Sequence, residues 1–156
     1  MASYHYENPF RTPGSVVRRS FYEEHGGFDP RLPHVADWEM WVRAIRLGGG
    51  LALNEPLAWY RYFPANHTGQ LRRTGENLRD YLRLAELWQR AGLAGFSLER
   101  FTSLVADMAL GQAGLYRQAG DSQAAAANEA LWQETASPGQ RLRRGLRRLV
   151  GRVRGA

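Results

Sequence analysis

Hydrophobic positions change period along the chain and divide it into three regions. Residues 1–70 carry short apolar runs broken by Pro, Gly and aromatic residues, which predicts short strands and helices joined by turns. Gly14-Ser15-Val16-Val17-Arg18-Arg19 reads as a strand, and Ser20-Phe21-Tyr22-Glu23 has the spacing of a capping box that opens a short helix, closed by Gly26-Gly27. After Pro33, Trp38, Trp41, Val42 and Ile45 recur at i, i+3, i+4 and i+7. This predicts a helix with one apolar stripe, Asp37 at its mouth and Gly48 as its stop. Leu51 to Leu53 and Leu57 to Phe63 read as strands around an Asn54-Glu55-Pro56 turn.

From 71 to 136 the period is helical. Leu78, Tyr81, Leu82, Ala85 and Trp88 share one face before Gly92. A second helix follows Ser97, with a stripe of Phe101, Leu104, Val105, Met108, Gln112, Leu115 and Tyr116, and ends at Gly120. Ala124 to Gln133 makes a third, so the region reads as a helical hairpin or bundle of antiparallel partners. Residues 137–156 form a tail. Ser137-Pro138 is a cap followed by a favourable first helical residue, and Leu142, Leu146, Leu149, Val150 and Val153 fall on one side of the helix they begin.

Charge sharpens the picture of the tail. The net charge is +6, and Arg141, Arg143, Arg144, Arg147, Arg148, Arg152 and Arg154 face no acid after Glu134, so residues 1–140 are close to neutral. A basic amphipathic helix of this kind suits an anionic membrane surface, with Arg143, Arg144, Arg147 and Arg148 toward the headgroups, although Gly145, Gly151 and Gly155 weaken it as a free helix. A solvated terminus is the alternative. Nucleic-acid binding is disfavoured, because no recognisable module accompanies the arginines and Trp38 and Trp41 lie on an apolar helix face.

Composition then closes several classes of function. A chain of 156 residues, 44% hydrophobic, suits one compact domain. No run approaches the roughly 20 apolar residues of a membrane span, and no charged-then-apolar leader opens the sequence, so a cytoplasmic product is expected, peripheral at the inner face of the membrane if the tail binds lipid. The absence of Cys excludes disulfides, thiol catalysis and thiolate metal sites. Gly48-Gly49-Gly50 precedes a predicted strand and so offers no helix N-terminus to a phosphate. His5, His25, His34 and His67 lack the i, i+4 spacing of paired metal ligands, and no nucleophile elbow is present. What remains is Ala36-Asp37-Trp38-Glu39-Met40-Trp41-Val42-Arg43, with carboxylates at the start of a Trp-faced helix. By spacing, Asp37 suits a helix cap and Glu39 an i, i+4 pair with Arg43; a general-base role is the competing reading.

Four blocks together carry a resemblance: Pro13-Gly14-Ser15-Val16-Val17-Arg18-Arg19-Ser20, Gly26-Gly27-Phe28-Asp29, Ala36 to Arg43, and Glu55-Pro56-Leu57-Ala58-Trp59-Tyr60-Arg61. In this order and spacing, across residues 9 to 70, the chain resembles the C-terminal half of a family 2 glycosyltransferase. The resemblance implies an α/β fold, a partial GT-A, Rossmann-like C-terminal half, followed by the helical region. It implies sugar transfer, usually inverting, from a nucleotide-sugar to a hydroxyl of a glycan or lipid-linked acceptor, in cell-surface polysaccharide or glycoconjugate synthesis.

Asp37 then falls where the family places its catalytic base. Trp38, Glu39, Arg43, Arg18, Arg19 and Arg61 fall in matched blocks as substrate-binding candidates. Ala36 stands where the family commonly has Glu, and Phe63 where it often has a His near metal and diphosphate, leaving His67 as the metal candidate. The family's divalent metal, Mn or Mg, is not expected to be bound by this chain alone, because no Asp-x-Asp occurs and the nucleotide-binding half is missing. Activity is therefore expected only with a partner polypeptide supplying that half. The alternative is a non-catalytic binding or scaffolding module derived from the same fold.

Overall fold

The computed structural model describes residues 4–61 and 67–154, without the side chains of 67 and 147–154. A short 3-10 turn at Thr12–Gly14 is followed by α1 (Arg19–His25), α2 (Ala36–Gly48), α3 (His67–Thr74), α4 (Glu76–Arg90), α5 (Leu98–Gln118), α6 (Ser122–Thr135) and α7 (Pro138–Arg154). Among the described residues there is no strand and no sheet. The expected α/β class, with its Rossmann-like half, is therefore corrected to all-α.

Each predicted strand fails for the same physical reason. A strand is stable only where a neighbour takes its backbone N–H and C=O groups and a core takes its apolar face. Residues 14–19 instead close the 3-10 turn, run extended and enter α1 at Arg19, leaving Val16 98% exposed. Among the described residues, no segment runs beside Leu51 to Leu53 or 57–61 in a ladder. Among the described residues, the backbone bond made from 50 to 61 is Leu57 N–H to the Glu55 carbonyl, 3.0 Å. Leu51 and Trp59 are 89% and 95% exposed, so the alternating pattern is real but has nothing here to bury it. Tyr62 and Phe63, the end of the predicted strand, lie outside the described residues.

The helices form where their punctuation places them. Ser97 accepts from the Arg100 N–H at 3.2 Å to cap α5, and Asp121 accepts from the Ala124 N–H at 3.1 Å to cap α6. The Ser20–Glu23 capping box does not form: α1 begins two residues earlier, after Arg18, with no side-chain cap. A helix that the sequence pattern does not predict, α3, precedes α4. The two meet at Gly75, whose left-handed φ of 77° turns the chain where a Cβ would stand 3.5 Å from Leu131 Cδ2.

Helices α3 to α6 pack together, and α2 joins their core through Trp38 and Val42. The α5–α6 seam is built from small residues, with Ala106, Ala109 and Ala113 of α5 and Ala124 and Ala125 of α6 buried. The buried face of α5 is consequently rotated from the predicted stripe. Phe101, Val105 and Gln112 lie inside as expected, whereas Leu104, Met108 and Leu115 are exposed. Alanines won the interface because two helices approach closely only where side chains are short.

Asp80 locks α2 to α4. It is fully buried, and its Oδ2 accepts from the backbone N–H groups of His34 (2.7 Å) and Val35 (3.0 Å), the two residues leading into α2. Arg83 donates to its other oxygen at 3.3 Å. Asp80→Ala strands two donors beneath the core and is expected to cost about 3 kcal/mol, a fall of about 10 °C in melting temperature by calorimetry. Asp80→Asn, which keeps one acceptor oxygen, should lose about half as much.

Candidate functional site

Asp37 is the second residue of α2, and its backbone position follows from the Asp80 clamp immediately upstream. One carboxylate oxygen, Oδ2, accepts from Thr12 Oγ1 at 2.8 Å, which ties the 3-10 turn to α2. The other, Oδ1, faces the Trp38 N–H at 2.7 Å. Asp37 is therefore oriented but is not the N-cap; Val35 occupies that position. Beside it lies Tyr81 of α4, whose phenol is held above its ordinary range, first by burial and then by the negative charge of Asp37, with Arg72 and Arg11 opposing. His34 stacks on the Tyr81 ring, centroids 6.0 Å apart and planes 9° apart. A carboxylate, a phenol and an imidazole, from segments far apart in sequence, thus lie toward one end of α2, with Arg11 and Arg72 close enough to Tyr81 to act on its charge. Such a carboxylate can accept a proton from a hydroxyl, and the arginines can attract an anionic group.

The remaining expected site residues divide sharply. Trp38 and Trp41 are core residues. The Trp38 indole packs edge-on against Tyr81 and Trp88 and donates to the Tyr4 carbonyl at 2.9 Å. Arg43 is fully engaged within the chain: Nη1 donates to the carbonyls of His25 (2.6 Å) and Gly26 (3.1 Å), Nη2 to that of Gly27 (2.6 Å), and Nε to Glu39 Oε1 at 2.9 Å. The i, i+4 pair read from the sequence is present, and it pins the Gly26-Gly27 turn, where Gly26 has φ 79°, at the carbonyl end of α1. Asp29 of the same turn is held below the usual carboxylate range by the Arg31 guanidinium that donates to it.

Arg18 and Arg61 are exposed, and Arg19 pairs with Glu23 at 2.8 Å on the surface. The Arg19 pair lies on α1 itself, away from Asp37. The side chain of His67 lies outside the described residues. Among the described residues no three His, Asp or Glu side chains could hold a metal ion, so the divalent cation implied by the resemblance has no ligand set there.

Thr12, Tyr81, Arg11, Arg72 and Asp80 are the site residues that sequence reasoning missed. Asp80 had a signal: it falls on the buried stripe of α4 with Asn77, Leu84 and Trp88, where an acid demands a partner. The others had none, because only the folded chain brings Thr12 to Asp37 and Arg11 and Arg72 toward Tyr81. Elsewhere, a surface groove of about 700 Å³ between α4, α5 and α6 is lined by Gln89, Ser97, Glu99, Thr102 and Thr135 and contains none of the expected residues. No protein-family model, no curated protein and no solved structure matches the chain.

Proposed function

We propose that the chain is the acceptor-side portion of a sugar-transferring enzyme, in which Asp37 takes the proton of an acceptor hydroxyl while groups outside these residues hold the nucleotide-sugar. The observation that supports this reading is the setting of Asp37: a carboxylate oriented by Thr12, at the helix mouth where the resembling motif places a base. Two of the four resembling blocks are joined within the chain, by the Arg43 contacts with Gly26 and Gly27, and Thr12, which adjoins the first block, bonds Asp37. In-line displacement at an anomeric carbon requires such a group on the acceptor side.

A second reading, a non-catalytic docking module, is favoured by one specific observation. The fourth block, with Leu57, Trp59 and Tyr60, stands exposed outside any helix, as do Leu51 and Leu53 before it. Such a segment is suited to adding to another polypeptide's sheet edge, main chain to main chain. Deleting the coding region in the cell that makes the chain, and profiling its surface glycans by mass spectrometry, tests the sugar-transfer reading. Loss or shortening of one glycan, restored by the intact chain in trans, is expected; an unchanged profile overturns it.

A further inference from the structure

An amphipathic helix ordinarily turns its apolar stripe inward, and α7 does the reverse. Its polar side docks on the bundle. Gln140, almost fully buried, donates to the Ser103 carbonyl (2.9 Å) and Asp107 Oδ1 (2.8 Å) of α5. Arg141 donates to the carbonyls of Ala136 (3.1 Å) and Gln133 (2.6 Å). Arg144 pairs with Glu129 and lies over the Trp132 ring, 4.2 Å from its centroid. Leu142 and Leu146, one turn apart on the other side, are left 66% and 53% exposed. The 3.6-residue register carries the same line through positions 149, 150 and 153, all apolar in sequence.

We infer that this outward stripe is a docking surface for an anionic lipid bilayer, an inference that does not rest on the sugar-transfer reading. Charge complementarity selects the occupant. Helix α7 contains no acidic residue, and the helical period of its sequence sets arginine on both flanks of the apolar line: positions 143, 147 and 154 on one, 148 and 152 on the other. Apolar centre and cationic flanks match the two depths of a membrane interface, acyl chains below and phosphates beside. A nucleic acid would need the arginines at the centre of the contact instead. Of the arginines expected at the headgroups, Arg143 is exposed, whereas Arg144 is held by the bundle and fixes the helix orientation. No helix among the described residues is long and apolar enough to cross a membrane, so the contact is interfacial.

Co-sedimentation of the full chain with vesicles of phosphatidylcholine, and with an equal mixture of phosphatidylcholine and phosphatidylglycerol, tests the inference. Binding is expected to the mixed vesicles, weakening as salt is raised. Leu142→Asp with Leu146→Asp should reduce it about tenfold or more, and Arg143→Gln about fivefold, with helical content and melting temperature unchanged because these side chains are exposed. Failure of the intact chain to bind the mixed vesicles overturns the inference. So does binding unaffected by the leucine substitutions, or tighter binding to duplex DNA at equal salt. A dimer that dissociates when Leu142 and Leu146 are replaced, without vesicle binding, would assign the stripe to a second copy of the chain and overturn it as well.

Discussion

Trp38→Ala is expected to destabilise the chain by about 4 kcal/mol, read as a shift of the urea midpoint with an unchanged slope. The indole is 2% exposed and meets three other segments at once, α4, α5 and the N-terminal stretch. It packs on Tyr81 at 5.4 Å and Trp88 at 5.3 Å, edge to face, and on Phe101 at 5.9 Å, between ring centroids. Its N–H donates to the Tyr4 carbonyl, which ties down the N-terminal segment. Alanine opens a cavity between α2, α4 and α5 that the stacked aromatics cannot collapse to fill, and it removes the donor as well. Trp38→Phe should recover roughly half the loss, since a ring returns to the aromatic cluster but the bond to Tyr4 does not. A midpoint within error of the intact chain for Trp38→Ala would mean that α2 is not part of the core.

This residue also shows what can and cannot be read from the sequence. The spacing of Trp38, Trp41 and Val42 predicts both the helix and its buried side, because a period of 3.6 is a local property. The same spacing cannot say whether a tryptophan at a helix mouth faces core or substrate. Distance decides, and the partners are Tyr4, Tyr81, Trp88 and Phe101. The strands expected at 51–53 and, as far as residue 61, at 57–63 do not form, for a related reason. Alternation reports which face could be buried, but pairing requires a neighbour that the described residues do not offer. Around the candidate site, Asp37, Glu39 and Arg43 were legible as a helix start and an i, i+4 pair. Thr12, Arg11, Arg72 and Tyr81 were not, because nothing in their own neighbourhoods marks them.

Asp37→Asn is expected to lower sugar transfer about a thousandfold, measured as incorporation in extracts of the producing cell with the variant in place of the native chain. The substitution separates chemistry from structure. Asparagine has the shape of aspartate, and its carbonyl oxygen can still accept from Thr12 Oγ1, so the 3-10 turn stays attached to α2. The amide group must then face the Trp38 N–H in place of an oxygen, which exchanges an attraction for a donor–donor contact and costs about 1 kcal/mol of stability. An amide cannot accept the acceptor hydroxyl's proton, so the rate loss should exceed what that small cost explains. Thr12→Val frees the carboxylate to turn while keeping its charge; a loss of about tenfold is expected, because a general base works only from a held position. Unchanged incorporation with Asp37→Asn, in a cell where deletion of the chain abolishes the glycan, would remove Asp37 from the chemistry. The exposed segment from Leu51 to Arg61 would then become the part of the chain on which transfer depends, as a surface for another polypeptide.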